Sequence, residues 1–446
     1  MEKRWSELTP EQKREERLKN YISPPGAKFR DARAERFYKE RVTRMLDAFM
    51  CKEPDRVPVT LPVGNYPAYY AGWNLKKVMY DYKALRESWT RFMNDFYEDM
   101  DSFMGPGFVW SGTVLELLKY KPYKWPGHGL GDNVNTYQFV EEAYMQANEY
   151  DALMKDPSDF SFRVLVPRTI GAAEELKNFP PLNSLMGMTM VMAFPFSRPE
   201  MRAAFQALIN AGEEMEKWQK ELMVFNMDMV SAGFPVGMGG LALAPFDVIG
   251  DFLRGTRGTV IDMYRQPEKL LEAIDMITEQ TIPRLIDSVN ASGGFSVAFP
   301  LHKGDDTFMS NKQFEKFYWP SLRKVILALI DEGIMVSLFA EGQYNHRLEY
   351  IKDFPKGWVM WQFDKTDMVN AKKIVGSTCC IAGNVPSSLV ITRTAKEVKE
   401  YCRRLIETCA PGGGYVLSGG AAVNEAENPE NLRVFMEAAM EYGIYK

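Results

Sequence analysis

The chain has 446 residues, 46% of them hydrophobic and 25% charged, and its 54 Lys and Arg against 59 Asp and Glu give a formal net charge of −5. These values fit an ordinary globular protein and exclude a disordered chain, a collagen and a disulfide-stapled mini-domain. The acidic balance sets aside a dedicated nucleic-acid binder, which needs clustered Lys and Arg for phosphate. No apolar run reaches the roughly 18 residues of a membrane span. The opening stretch MEKRWSELTPEQKREERLKN is charged throughout and lacks an apolar signal core, which predicts a cytoplasmic protein. Five cysteines without a C-x-x-C pair read as free, mostly buried thiols. Histidines are scarce, with only His128, His302 and His346, so a His-rich metal cage is excluded.

The first 50 residues read as a helical extension. Thr9-Pro10-Glu11-Gln12 is a capping box with Pro at the first helical position, and a second helix runs from about Ala32 to Met50. A turn at EPDRVP leads to a short strand, Val57 to Leu61. Residues from about 100 to 190 mix Gly-Pro turns with aromatic strand-like pieces and an acidic helix around Glu141 to Met154, and read as an inserted elaboration. Ser197-Arg198-Pro199-Glu200 reads as a further capping box, opening a long helix to about Ala232.

From there short apolar strands alternate with amphipathic helices. The strands are Pro235 to Gly239, Phe295 to Phe299, Met335 to Phe339, Trp358 to Phe363, Cys380 to Val385 and Tyr415 to Leu417. Capping boxes at Ser310-x-x-Gln313 and Thr394-x-x-Glu397 start two of the helices. Uniformly apolar strands followed by helices mean right-handed βαβ units with a parallel sheet covered by helices. The number of units suits an α/β fold of the (β/α)8 TIM-barrel type, spanning residues 51–446, better than an open sheet.

In such barrels the reacting groups sit at the C-terminal strand ends. Those ends carry His302, Lys303, Asp305 and Asp306 after the FSVAF strand, then Glu341 and Tyr344, then Asp364, then Asn384. His302 and Glu341 form the sharpest pair: a histidine and a carboxylate from neighbouring strands can hold Zn²⁺ or act as acid and base. Rim residues satisfied by loop hydrogen bonds are the plainer alternative for each, and Asp306 can equally serve as a helix-entry cap. His346 reads as a surface residue at a helix start, and His128, in WPGHGLGD, as a loop residue. The glycine run GMGGLALAP lacks a P-loop lysine, and LMGMTMVMAF reads as adaptable packing.

The blocks RVTRMLDAFMCKEPDRVPV, GGLALAPFDVIGDFLRGTRGTVIDMYRQPEKL, FMSNKQFEKFYWPSLRKVILALIDEG, IAGNVPSSLV and GGGYVLSGG occur in an order that resembles the uroporphyrinogen decarboxylase superfamily. The resemblance covers about residues 40–75 and 230–446 and implies a (β/α)8 barrel with its site at the C-terminal mouth. It also implies one of two activities. True decarboxylases hold the tetrapyrrole with arginines just after the first strand, whereas here that segment, TLPVGNYPAYYAGWN, has none. A substrate with many carboxylates needs such cations. The resemblance places a carboxylate facing the pyrrole N–H groups near Asp99 or Asp101.

The second activity is methyl transfer linked to a corrinoid protein. The coenzyme M methyltransferases of this superfamily use an H-x-C-G motif and a later cysteine for zinc. Those positions here are Phe339, Glu341 and Ala421 or Ala422, so the thiolate zinc site is missing. A mixed oxygen and nitrogen zinc site of Glu341 and His302, with Asp306 or Asp364, is the corresponding expectation, suited to an O-methyl donor.

The resulting expectation is a substrate-demethylating methyltransferase with catalytic His302, Glu341, Asp306, Asp364 and Lys303. Asp101, Tyr344, Asn384, Phe339 and Asn65 are the candidate substrate contacts. The chain has no D-x-H-x-x-G motif, so a separate corrinoid protein is the expected partner, with a small-molecule substrate and, by the resemblance, a homodimer. The alternatives are a metal-free decarboxylase or lyase working through His302, Lys303 and Asp306, and a non-enzymatic barrel that binds a tetrapyrrole or corrinoid.

Overall fold

The computed structural model describes residues 4–182, 189–236, 239–424 and 428–446. At the N-terminus the Thr9 box forms as expected: Gln12 N donates to Thr9 Oγ1 at 3.3 Å and Thr9 N donates to Gln12 Oε1 at 3.1 Å. Pro10 opens α1 (Pro10–Ile22), and Asp31 caps α2 (Ala32–Phe49) by accepting from Ala34 N at 2.7 Å. Helix α1 is fastened to the rest of the chain by two cations. Lys13 reaches Glu332 at 2.8 Å, and Arg17 reaches the Glu332 carbonyl and Asn290, both at 2.9 Å.

The inserted region carries a small three-stranded sheet of β1 (Tyr123–Pro126), β2 (Gly129–Leu130) and β3 (Gln138–Phe139), then short helical turns, then the long α3 (Pro199–Ser231). The acidic helix expected from Glu141 is confined to Tyr150–Lys155. The residues before it are held otherwise: Met145 N donates to Leu253 O at 2.7 Å, and Gln146 N to Glu149 Oε2 at 2.6 Å. Ser197 does not cap α3 either. Its hydroxyl turns back to Phe194 O at 2.8 Å, and Arg198 occupies the N-cap. The Met-rich run from Leu185 lies partly outside the described residues, as do Gly237 and Met238 of the glycine run.

The main sheet has six parallel strands in sequential order: β4 (Gly240–Leu241), β5 (Ser296–Leu301), β6 (Met335–Ala340), β7 (Val359–Phe363), β8 (Cys380–Ala382) and β9 (Tyr415–Val416). Helices α4 (Pro267–Ser292), α5 (Trp319–Asp331), α6 (Met368–Ile374), α7 (Ala395–Cys409) and α8 (Glu430–Tyr442) lie between or after the strands. The Ser310 and Thr394 capping boxes both form. Of the strand expected at Pro235 to Gly239, Gly237 and Met238 lie outside the described residues, Gly239 N donates to Ser296 O at 2.8 Å, and the paired ladder runs from Gly240.

Register divides the strand residues into two faces. Val297, Val336 and Val359 pair across β5–β7, as do Phe299, Leu338 and Trp361, and all are buried in the main core. The alternate positions Pro300, Phe339 and Gln362 pair on the opposite face and are only partly buried. At the strand starts this second face is closed by small residues: Ala48 and Cys51, at and after the end of α2, pack on Cys380, Ala382 and Val416. The face therefore has a floor and opens toward the strand C-termini. All five cysteines are free and buried, in agreement with the composition.

Two further extended segments continue the sheet past β9 through single parallel bridges, Val59 to Leu417 and Thr60 to Ser102. Among the described residues no ladder joins Ser102 to β4, so the closed eight-stranded barrel expected from the sequence is reached only in part. Pro58 and Pro62 explain why the first segment makes bridges rather than a continuous strand. The gap is spanned by side chains. Arg41 donates to the Gly233 carbonyl at 2.9 Å and to Met100 O at 3.3 Å, Tyr97 Oη donates to Ala232 O at 2.6 Å, and the Phe103 and Phe234 rings meet edge to face at 5.7 Å. Among the described residues no helix is long and apolar enough to cross a membrane.

Asp101 belongs to this framework and not to the mouth. It is fully buried and accepts from Arg44 Nη1 at 2.6 Å, Arg56 Nη1 and Nη2 at 2.7 and 2.8 Å, and Val59 N at 2.8 Å. Burial alone would raise its pKa, but the two guanidiniums and the amide outweigh that and hold it below the usual carboxylate range. The expected role in substrate binding is thus replaced by a structural one. Asp101→Ala would strand two buried guanidiniums and should cost about 3–5 kcal/mol, read as a lowered urea midpoint at neutral pH.

Candidate active site at the strand C-termini

After β4 the chain runs through Ala244-Pro245-Phe246-Asp247-Val248-Ile249-Gly250-Asp251, a helical turn that passes into a π-helical turn at Ile249–Leu253. The spacing of four puts Asp247 and Asp251 on one side of it. Both point at the loop that follows β5. Asp247 has no exposed surface and accepts from His302 N and Lys303 N, each at 3.0 Å, and from Tyr318 Oη at 2.8 Å. Asp251 lies 2.6 Å from His302 Nδ1 and 3.2 Å from Lys303 Nζ. Lys303 also donates to Glu141 at 2.5 Å and Thr256 at 2.9 Å, both from outside the strand ends.

These contacts set the charge states. Burial disfavours the His302 imidazolium, but the hydrogen bond to Asp251 and the charges of Asp247, Asp251 and Glu341 outweigh it and raise the pKa above 6.5. Burial, with the neighbouring Asp251 charge, pushes Asp247 up to about 6, against the pull of His302. Lys303 is shifted upward: burial lowers it, and Glu141 and Asp251 more than compensate. His302 Nε2 has no hydrogen-bond partner among the described residues, and the side chain is 34% exposed. The arrangement is a carboxylate-oriented histidine with one free nitrogen, able to deliver or take a proton at an open surface.

The other expected residues separate into two groups. Glu341, Asp364 and Asn384 line one cleft of about 890 Å³ together with Lys365, Arg404 and Ala421. Glu341 is exposed and makes no hydrogen bond or ion pair among the described residues, although its charge reaches His302. Asp364 accepts from Gly342 N at 3.2 Å, and Asn384 Nδ2 ties Asp364 O and Thr366 O together at 3.1 and 2.8 Å. Gly342 has φ +80°, and a Cβ there would meet Asp305 Oδ2 at 2.3 Å, so only glycine lets the Glu341 loop pass the Asp305 loop so closely. Phe339 faces the open side of the sheet in register with Pro300.

The second group is structural. Asp306 Oδ2 accepts from His346 N at 3.0 Å, and its other oxygen lies 3.5 Å from Arg347 Nε, so it fastens one loop to the next. Tyr344 is fully buried beside Tyr318, and burial raises both phenols far above their ordinary pKa. These two are corrected from catalytic and substrate-binding roles to packing roles. Asn65 is buried and bridges Asn424 and Asn135, at 3.0 Å each, tying the first extended segment to the inserted region. His128 stacks on Trp125 at 4.7 Å and pairs with Glu116 on the surface, and His346 is exposed, as expected for both.

The expected zinc pair, His302 and Glu341, keeps one open group each, Nε2 and the Glu341 carboxylate. Asp251 occupies His302 Nδ1, and among the described residues no group of three His, Cys, Asp or Glu side chains is placed to hold a metal ion. Sequence reasoning missed Asp247, Asp251 and Glu141. The available signal was two carboxylates four residues apart inside the otherwise apolar stretch APFDVIGDFL, where an unpaired charge is costly to bury.

Residues 224–442 match the model of the uroporphyrinogen decarboxylase (URO-D) family. They form a URO-D family domain. Both the acidic turn after β4 and the His302 loop lie inside it. A uroporphyrinogen decarboxylase of Actinobacillus succinogenes is 23% identical over 185 residues, covering 40% of this chain and 50% of that protein. One of Myxococcus xanthus is 25% identical over 214 residues, covering 46% and 58%. The chain thus spans about half the length of the curated relatives it matches. Among solved structures, a methyltransferase from Methanosarcina mazei superposes with a TM-score of 0.56 at 15% identity, covering 90% of this chain and 98% of that one. At that identity the likeness is one of fold.

The shifts fix the pH dependence of stability. His302 has a folded pKa above 6.5, so its contribution is complete below that value and is lost as pH rises through the elevated pKa. Asp247 also binds its proton more tightly when folded, so its contribution falls as pH rises from 3.8 to about 6. His302→Gln should flatten the upper part of that decline in urea titrations across pH. Asp247→Ala, which leaves two amides and a phenol without their acceptor, should cost at least about 1–3 kcal/mol at pH 7.

Proposed function

We propose that this chain is an enzyme of methyl transfer, taking a methyl group from a small O-methyl donor and passing it to a corrinoid carried by a separate protein. The scaffold is read as a (β/α)8-type barrel to which β4–β9 contribute six strands and the two bridged segments extend the sheet, with side chains spanning the gap to β4. The observation that carries the proposal is the lack of arginine beside the mouth on the first extended segment. The segment from Asn65 to Tyr70 has no arginine, and Glu341 stands exposed at the mouth, in a cleft it shares with Asp364, Lys365 and Arg404. A tetrapyrrole bearing several carboxylates would find no arginine on that segment to hold it, whereas a neutral ether or methoxyarene needs none. The fold likeness to the Methanosarcina mazei methyltransferase supports the same reading.

The corrinoid supplies the nucleophile for the methyl carbon, and this chain works on the oxygen. When the C–O bond breaks, its electron pair stays on the oxygen, which needs a proton to leave as an alcohol or phenol. His302 provides it from Nε2, with Asp251 accepting from Nδ1–H and so fixing the ring. Against the burial of the ring, the hydrogen bond to Asp251 and the charges of Asp247, Asp251 and Glu341 favour the protonated imidazole. Phe339 and Pro300 present an apolar shelf on the open face of the sheet for the organic part of the donor.

A second reading, a metal-free carboxy-lyase using the same His302 proton, is favoured by the URO-D domain itself. The two are separated by product. The purified chain is given reduced cobalamin with a set of methoxybenzenes and alkyl methyl ethers, and demethylated product is followed by chromatography. In parallel, CO₂ release from uroporphyrinogen is measured. Methyl transfer predicts demethylated product, a loss of about 100-fold or more in His302→Gln, a rate that falls as pH rises through the His302 pKa, and no effect of EDTA. CO₂ release without demethylation would overturn the proposal.

A further inference from the structure

The cations around the mouth differ in what holds them. Lys303 is committed to Glu141 and Asp251. Lys365 and Arg404, which line one cleft with Glu341 and Asn384, are exposed, and their side chains make no hydrogen bond or ion pair among the described residues. The local chain supplies the reason in each case. On α7, Glu400 and Glu407 stand four residues before and three after Arg404, the spacings that pair on a helix. Arg403 takes both, Glu400 at 2.6 and 2.9 Å and Glu407 at 2.8 Å. Arg404 is left over, with its guanidinium over the Tyr401 ring at 5.4 Å on the cleft wall. Lys365 is flanked by Asp364 and Asp367. Asp367 caps α6 by accepting from Val369 N at 2.9 Å and Asn370 N at 3.1 Å, and Asp364 accepts from Gly342 N.

The cleft is therefore polarised along its length. At the strand ends it offers acceptors. One is the Glu341 carboxylate; the other is Asn384 Oδ1, which stays free because the amide nitrogen is spent on Asp364 O and Thr366 O. Asn384 is only 7% exposed, and it lines this cleft. Toward α7 the cleft offers donors: Lys365, Arg404 and the Thr408 hydroxyl, which also lacks a partner among the described residues. A volume of about 890 Å³ is that of a small-molecule site. Lysine and arginine both bind carboxylate and phosphate oxygens. Two cations and a hydroxyl match one acidic group and fall short of the many carboxylates of a tetrapyrrole.

We infer that Lys365 and Arg404 form an anion subsite at the α7 end of the cleft. It holds the terminal carboxylate or phosphate of a small organic acid whose opposite end reaches Glu341 and Asn384. The inference rests on the reading of the mouth as the place where a small O-methyl donor is processed, and it narrows that donor to one carrying a single acidic group. The two cations follow β7 and stand on α7, apart from the arginine-free first segment.

The test is isothermal titration calorimetry of the full chain with methoxyphenylpropionate and with methoxyphenylpropanol, which share a skeleton and differ in charge. Inorganic phosphate is titrated alone and in competition. The propionate is expected to bind at least about tenfold more tightly than the alcohol. K365M and R404M should each remove most of that preference, and circular dichroism confirms that these exposed substitutions leave the fold intact. Phosphate that binds through the same two residues and displaces the propionate assigns the subsite to a phosphate ester; phosphate that does not displace it assigns the subsite to a carboxylate. Equal binding of acid and alcohol overturns the inference, as does an acid preference that survives K365M and R404M together, or the absence of binding by either anion at about 10 mM. No cobalamin enters these titrations. A chain that selects the acid but demethylates no ether keeps the subsite and loses methyl transfer, whereas one that demethylates acid and alcohol alike does the reverse.

Discussion

One buried carboxylate sets the geometry of the mouth. Asp247 has no contact with solvent, yet it accepts two successive backbone amides, those of His302 and Lys303, and one phenol. A carboxylate brought out of water loses several kcal/mol of hydration, and hydrogen bonds to a charged group return roughly 1.5–3 kcal/mol each. The balance is close, and a pKa raised to about 6 expresses it. In exchange, the chain leaving β5 is held to the turn leaving β4. The His302 ring is thereby delivered to Asp251 with Nε2 free, and the charge that orients the ring also raises its pKa. Position and protonation state of the candidate acid therefore share one cause.

The carboxylates of this chain are best told apart by what they touch. Asp101 meets two guanidiniums and an amide, Asp305 accepts from Thr307, Phe308 and Gln343, and Asp306 stands between Arg347 and the His346 amide. Asp101 and Asp305 have their oxygens occupied by the fold, while Asp306 Oδ1 is buried against Arg347 without a hydrogen bond. Glu341 is the opposite case: exposed, without a protein partner among the described residues, and close enough for its charge to act on His302. Asp251 lies between these extremes, since it is committed to His302 and Lys303 and acts through them. The contrast explains why residues at equivalent strand ends serve different ends.

Much of this was legible beforehand. Apolar strands between capped helices placed β5 to β9 within a few residues, and the Thr9, Ser310 and Thr394 boxes formed with both of their hydrogen bonds. His302, Glu341, Asp364 and Asn384 were legible as strand-end residues because they directly follow apolar runs. The roles of Asp101, Asp306 and Tyr344 were misjudged, because sequence position shows that a polar residue follows a strand but not whether arginines or phenols from distant segments have already enclosed it. Asp101 meets Arg44 and Arg56 from 57 and 45 residues away.

The sequence by itself determined what depends on neighbours along the chain: helix starts fixed by side chains three residues apart, strands fixed by apolar composition, and the interruption of the first strand segment by Pro58 and Pro62. Only the tertiary structure decided which of the strand-end groups act together. The pairing of Asp251 with His302 joins residues 51 apart, and that of Lys303 with Glu141 joins residues 162 apart. Electrostatic and desolvation energies depend on distance through space and on burial, and neither is set by separation along the chain. A histidine at a strand end is visible in the sequence; the carboxylates that orient and charge it become visible only when the β4 turn folds over it.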